Sequence, residues 1–121
     1  MWDRRAKYVS NHDGDTVTML LDQGFRDSKE ITVRLLGVYA PELSQRGGPE
    51  CKEFVEGWFF AASSTPWPYI VTTVRMKVAD KEQMTLDRYV GIITDISGSK
   101  NLNMDVQNYI SKNGYPGGTG S

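Results

Sequence analysis

The apolar residues fall in short runs separated by clusters of turn formers, and these runs predict a β-rich chain. Ala6 to Ser10 reads as a first strand, and Asn11-His12-Asp13-Gly14-Asp15 as the turn that closes it. Thr16-Val17-Thr18-Met19-Leu20-Leu21 is β-branched and apolar, which predicts a second strand. The polar stretch Asp22 to Lys29 reads as a hairpin loop, and Glu30 to Val38 as a third strand with both faces largely buried. Leu43 to Gly48 is polar with two glycines and reads as a mobile loop. Pro49 then suits a first helical turn, and Glu50 and Glu53 suit the positive end of the helix dipole. Cys51, Phe54, Val55, Trp58, Phe59 and Ala62 follow helical spacing, an amphipathic helix with an aromatic core face. Ser63 to Pro68 stops it.

The second half repeats this grammar. Tyr69 to Val78 is a fourth strand, with Ile70, Thr72, Val74, Met76 and Val78 alternating on one face. Ala79 to Leu86 is a charged connection, and Tyr89 to Ile96 a fifth strand. Asn101 or Asn103 caps a short final helix whose inner face is Leu102, Val106, Tyr109 and Ile110. Gly114 ends it, and about 114–121 reads as a flexible, glycine-rich tail. No internal repeat, linker or second domain is evident, so 1–121 is expected to be one domain. Three strands, a helix, two strands and a helix predict a mainly β (α+β) OB-fold. This is a five-stranded barrel that commonly binds oligonucleotides or oligosaccharides.

Composition narrows the class. With 121 residues, 39% hydrophobic and 24% charged, the chain suits one soluble globular domain. Fourteen basic residues against fifteen acidic ones give a net charge of −1. A polyanion would therefore have to be met by local positive charge or a bound cation. One cysteine and one histidine exclude an intrachain disulfide, a cysteine zinc cluster and multi-histidine metal sites. The N-terminus has no apolar signal region and no stretch approaches a membrane span, so the expectation is a soluble intracellular protein with no membrane partner.

Four polar places stand out. Arg34 lies inside an apolar strand, so it needs a carboxylate partner or lines an anion site. Glu42 follows the stiff Ala40-Pro41 step just beyond that strand. Asp13-Gly14-Asp15-Thr16 is either a turn in which Asp13 caps its own backbone or an oxygen site for a hard cation. Arg88 is either a solvated strand-entry residue or a second guanidinium that grips a phosphate with Arg34. His12 reads as an exposed loop residue, Cys51 as core.

Asp13-Gly14-Asp15-Thr16-Val17, Val33-Arg34-Leu35-Leu36-Gly37-Val38 running into Ala40-Pro41-Glu42, Asp87-Arg88-Tyr89, and Leu102-Asn103 before a short helix together resemble the staphylococcal nuclease (thermonuclease) family. The resemblance runs from about Lys7 to Tyr115, and the compact form is similar to versions encoded by phages of actinobacteria. It implies an OB-fold enzyme that hydrolyses phosphodiesters of DNA, and of RNA, with Ca²⁺; Mg²⁺ and Mn²⁺ are alternatives. It further implies Asp15 as a metal ligand and the Ala40 carbonyl as a main-chain ligand, with Asp13 as an additional candidate. Arg34 and Arg88 become phosphate-binding catalytic residues, and Glu42 activates or positions the attacking water.

Tyr39 departs from the pattern, standing where the family usually carries an Asp or Asn metal ligand; a neutral phenol is a poor ligand for a hard cation. Tyr39 and Tyr89 are also candidates for stacking on substrate. The alternative reading is a catalytically weakened OB-fold that binds nucleic acid without cutting it, through stacking aromatics and a local basic groove. Both readings expect a monomer without a protein partner. They place it in the cytoplasm, the host's if the chain is phage-encoded.

Overall fold

The computed structural model describes residues 2–59, 67–76 and 88–115, and of Trp2, Arg75, Met76 and Arg88 only the backbone. Five strands form a closed barrel: β1 (Trp2–Asn11), β2 (Thr16–Gly24), β3 (Asp27–Leu35), β4 (Tyr69–Met76) and β5 (Arg88–Asp95). Their order around the barrel is β1-β2-β3-β5-β4, and β4 pairs with β1 to close it. The pair β3–β5 is parallel and all others are antiparallel. Helix α1 (Gly48–Trp58) lies between β3 and β4, and α2 (Leu102–Asn113) ends the described fold. This is the OB-fold-like α+β barrel expected from the order of elements. Among the described residues, no helix is long and apolar enough to cross a membrane.

The inward positions obey the period of two expected of strands. Val17, Met19 and Leu21 from β2 and Ile31, Val33 and Leu35 from β3 are buried, with half-exposed or exposed residues between them. Val38, Ala40, Cys51, Val55, Leu102, Val106 and Ile110 extend the same core between barrel and helices. On β4 the inward face is Tyr69, Val71 and Thr73, so the Ile70-Thr72-Val74 alternation lies outside. Tyr69 decides the phase: its ring meets Phe59 edge-on at 4.9 Å and its hydroxyl donates to the Phe59 carbonyl. Met76 and Val78, the other members of that alternation, have side chains outside the described residues.

Strand and helix ends depart from expectation for local reasons. β3 stops at Leu35 rather than Val38, because the chain turns there: Val38 N–H donates back to the Leu35 carbonyl, and Gly37 takes φ 76°, which a side chain would resist. Leu36 consequently projects to solvent, and Arg34 sits on a partly exposed face. The hairpin is longer than expected. β2 and β3 remain paired as far as Gly24 and Asp27, and Phe25 stands fully exposed at the tip. α1 ends at Trp58; Ala62 and Ser63 to Pro66 lie outside the described residues, as do the 79–86 connection and 116–121 of the tail. The tail begins later than expected, since Tyr115 is packed against the core.

Aromatic side chains join the helices. Phe54 of α1 stacks on Tyr109 of α2 at 4.3 Å, and the Trp58 indole donates to the Asp105 carboxylate at 2.8 Å. Asn101 is the cap of α2, accepting from the Met104 N–H at 3.1 Å. Asn103, the other candidate cap, does different work. It is buried, its Oδ1 accepts from the Ile93 N–H, and its Nδ2 donates to the Leu36 and Gly91 carbonyls. It thus satisfies the β5 edge where β3 has left the sheet.

Candidate functional site

The turn between β1 and β2 and the end of β3 meet at one end of the barrel. Asp13 Oδ1 accepts from the Asp15 N–H at 3.0 Å, so the capped turn read from the sequence is present. Asn11 anchors the turn: its Nδ2 donates to the carbonyls of Asp13 and of Lys52 on α1, and its Oδ1 accepts from the Tyr8 hydroxyl. Gly14 lies so close to Ala40 and Cys51 that a Cβ there would stand 2.8 Å from each of their Cβ atoms. Nothing in the sequence singles out Asn11 beyond its place among turn formers.

Asp15 is buried and meets the end of β3. Thr16 faces Arg34 across the β2–β3 pair, and the Leu35 N–H donates to the Asp15 carbonyl. Asp15 Oδ2 lies 3.1 Å from Arg34 Nη1 and accepts from the Ala40 N–H at 3.2 Å. Its Oδ1 accepts from the Thr16 hydroxyl. Arg34 Nη1 also donates to the Val38 carbonyl at 3.0 Å, which fixes the guanidinium over the turn. Arg34 therefore has the carboxylate partner that its strand position demanded. Its Nε and Nη2 have no hydrogen-bond partner among the described residues, and its side chain is 22% exposed. A guanidinium held by one nitrogen can donate from its other two to a pair of oxygens on one oxyanion.

Burial pushes the Asp15 carboxyl up to about 6, with the Asp13 carboxylate adding to the rise and Arg34 opposing it. Two carboxyl groups pressed together in a partly desolvated turn are the chemistry that a hard cation relieves. Among the described residues no group of three His, Cys, Asp or Glu side chains is placed to hold a metal. Asp13 and Asp15 are the two carboxylates at this turn that could share a hard cation, with water and substrate oxygens completing its shell. The Ala40 carbonyl makes no hydrogen bond among the described residues, whereas its N–H is spent on Asp15.

Tyr39 is 47% exposed, and its ring lies 5.6 Å from the Arg34 guanidinium carbon. This is a cation–π pair beside the carboxylate turn. Pro41 is buried and Glu42 exposed. The Glu42 N–H donates to Gln45 Oε1 at 2.8 Å, and its carbonyl accepts from the Gln45 N–H at 2.9 Å. The stretch read as a polar loop forms a pair of tight turns, since the Gly48 N–H also returns to the Gln45 carbonyl. The Glu42 carboxylate has no hydrogen-bond partner among the described residues and faces solvent.

β5 brings Arg88 beside Thr32 and Val90 beside Arg34, so Arg88 enters the sheet on the strand next to Arg34. Its side chain, like Asp87, lies outside the described residues. Tyr89 is half-buried against the core, beside Val33. His12 is exposed, and Cys51 is a buried thiol that burial, then Glu50 and Asp15, pushes up to about 11.

No protein-family model matches the chain, and a search of curated proteins gives no match.

Proposed function

We propose that this barrel end hydrolyses phosphodiester bonds of nucleic acid, DNA first and RNA second, with a divalent cation, Ca²⁺ in preference to Mg²⁺ or Mn²⁺. One observation carries the proposal. Asp15 Oδ2 lies within 3.2 Å of both Arg34 Nη1 and the Ala40 nitrogen, and Glu42 follows two residues after Ala40 with a carboxylate that has no hydrogen-bond partner among the described residues. A structural ion pair needs no such glutamate, and it needs no guanidinium left open on two nitrogens.

Arg34 binds the phosphate through Nε and Nη2 and donates to equatorial oxygens that gain charge as water attacks. Arg88 is the second guanidinium for the same group. Glu42 takes the proton of the attacking water; the new P–O bond forms as the ester P–O bond breaks, and the departing oxygen is protonated by solvent. Asp15, with Asp13 and the Ala40 carbonyl as further ligands, would hold the cation. When bound there, that ion supplies charge neutralisation and Lewis-acid polarisation of a phosphoryl oxygen.

Tyr39 favours a second reading, a nucleic-acid-binding domain without cleavage. Its exposed ring beside Arg34 offers a stacking face next to a phosphate-binding cation, where a metal ligand is missing. Incubation with plasmid and single-stranded DNA, with each divalent ion or with EDTA, separates the two. Hydrolysis predicts ion-dependent degradation that falls by on the order of 10²-fold in Arg34→Ala and to a residual, measurable trace in Glu42→Gln. Saturable binding with intact DNA in every condition refutes it in favour of the binding domain.

A further inference from the structure

We infer that Arg46 and Tyr115 form a clasp that sets the position of Glu42, which makes Arg46 a positioning residue. This assignment takes Glu42 as the base of the proposed hydrolysis. The segment from Glu42 to Gly48 is short and polar, and only Pro41 before it and Gly47 and Gly48 at its end are buried. Between those anchors it is held from the far end of the chain. Arg46 Nη2 donates to the Gly114 carbonyl at 2.7 Å, at the negative end of α2. The Arg46 guanidinium carbon lies 5.5 Å from the centre of the Tyr115 ring, and that ring packs on Tyr109 at 5.9 Å. Gly47 lies directly on the same ring: a Cβ there would stand 2.4 Å from it.

The clasp reaches Glu42 in two steps. Gln45, the neighbour of Arg46, caps the Glu42 N–H with its side chain and bonds the Glu42 carbonyl with its own N–H. The Gly48 N–H returns to the Gln45 carbonyl. Gly48 also lies against the Glu42 carbonyl, so closely that a Cβ would stand 2.0 Å from the oxygen. The ring, the guanidinium and the two turns therefore fix one backbone path for an otherwise exposed carboxylate. Tyr115 itself is held by the closing turn of α2, where its N–H bonds the Ile110 carbonyl and Gly114 is left-handed.

Arg46→Ala and Tyr115→Ala should each lower kcat by about tenfold to a hundredfold with KM nearly unchanged, the cost of a base displaced by about 1 Å. Tyr115→Phe keeps the ring and should keep the rate. In the Glu42→Gln background, Arg46→Ala should produce no further loss, because the clasp acts only through that carboxylate. Independently of activity, amide exchange at Gln45 and Gly48 should accelerate in Arg46→Ala while core amides of β2 and β3 hold. Unchanged exchange at those two amides overturns the clasp. Faster exchange with losses that multiply across the two backgrounds overturns its action through Glu42. A fully active Glu42→Gln variant overturns the role given to Glu42, and the catalytic consequence with it, while the exchange result still decides whether the clasp exists.

Discussion

Replacing Asp15 by Asn should stabilise the protein at neutral pH while it removes the carboxylate of the proposed cation site. The carboxyl titrates near 6 in the folded chain against an ordinary 3.8, because burial and the Asp13 carboxylate outweigh Arg34. Its side chain is 12% exposed, so solvent screens the effect only modestly. The sign follows from proton counting. Between about pH 4 and 6 the folded state binds more protons than the unfolded state, so stability falls as pH rises through that window. A gap of about two pH units at about 1.4 kcal/mol each gives a penalty of up to about 3 kcal/mol, fully present above pH 6. The amide keeps an oxygen for Arg34 Nη1 and the Ala40 N–H but loses the charge, so the gain at pH 7 should be about 1–3 kcal/mol. Urea unfolding of both proteins in EDTA, at half-unit steps from pH 4 to 8, measures it. The variant should match wild type near pH 4 and diverge upwards to a plateau above pH 6. A difference that does not change with pH, or a less stable variant at pH 7, refutes the balance of burial over ion pairing.

Three further outcomes follow from particular contacts. Asn103→Ala strips the buried Ile93 N–H and the Leu36 carbonyl of their partner, although Gly91 keeps the Leu36 N–H; thermal and urea unfolding should show a loss of about 2–4 kcal/mol, and Asn103→Asp, which keeps only the acceptor, should not rescue it. Gly48→Ala drives a Cβ into the backbone of Glu42 and Leu43, so it should cost about 1–3 kcal/mol in urea and lower cleavage more than Gly57→Ala, where nothing lies within 4 Å. At the hairpin tip Phe25 and Arg26 both hold positive φ, 51° and 62°; Phe25→Asn with Arg26→Gly should raise unfolding free energy by about 1–2 kcal/mol and leave DNA cleavage unchanged.

The element order and the chemistry available at one place follow from the residues in line along the chain. Short β-branched runs, a proline-started helix with apolar spacing and a capped final helix can satisfy their burial in few ways. An arginine inside an apolar strand must find an anion. Asp13, Asp15, Arg34 and Glu42 were visible because turn and strand rules fix where such residues sit along the chain. Boundaries were less legible, since the sequence does not show where β3 leaves the sheet. That point is set by Gly37 turning the backbone and by Asn103 taking over the hydrogen bonds of the abandoned β5 edge. The phase of β4 was not legible either: Ile70-Thr72-Val74 is the alternation that stands out in the sequence, yet Tyr69-Val71-Thr73 faces inward, because Tyr69 meets Phe59.

Folding of the whole chain sets which donors Asp15 receives, that Tyr39 pairs with Arg34 rather than joining the carboxylates, and that Arg46 holds the end of α2 from 68 residues away. Contacts between residues far apart in sequence carry no periodic signature. Local propensity dictates strands and turns, whereas the convergence of side chains at one barrel end depends on closure of the whole sheet.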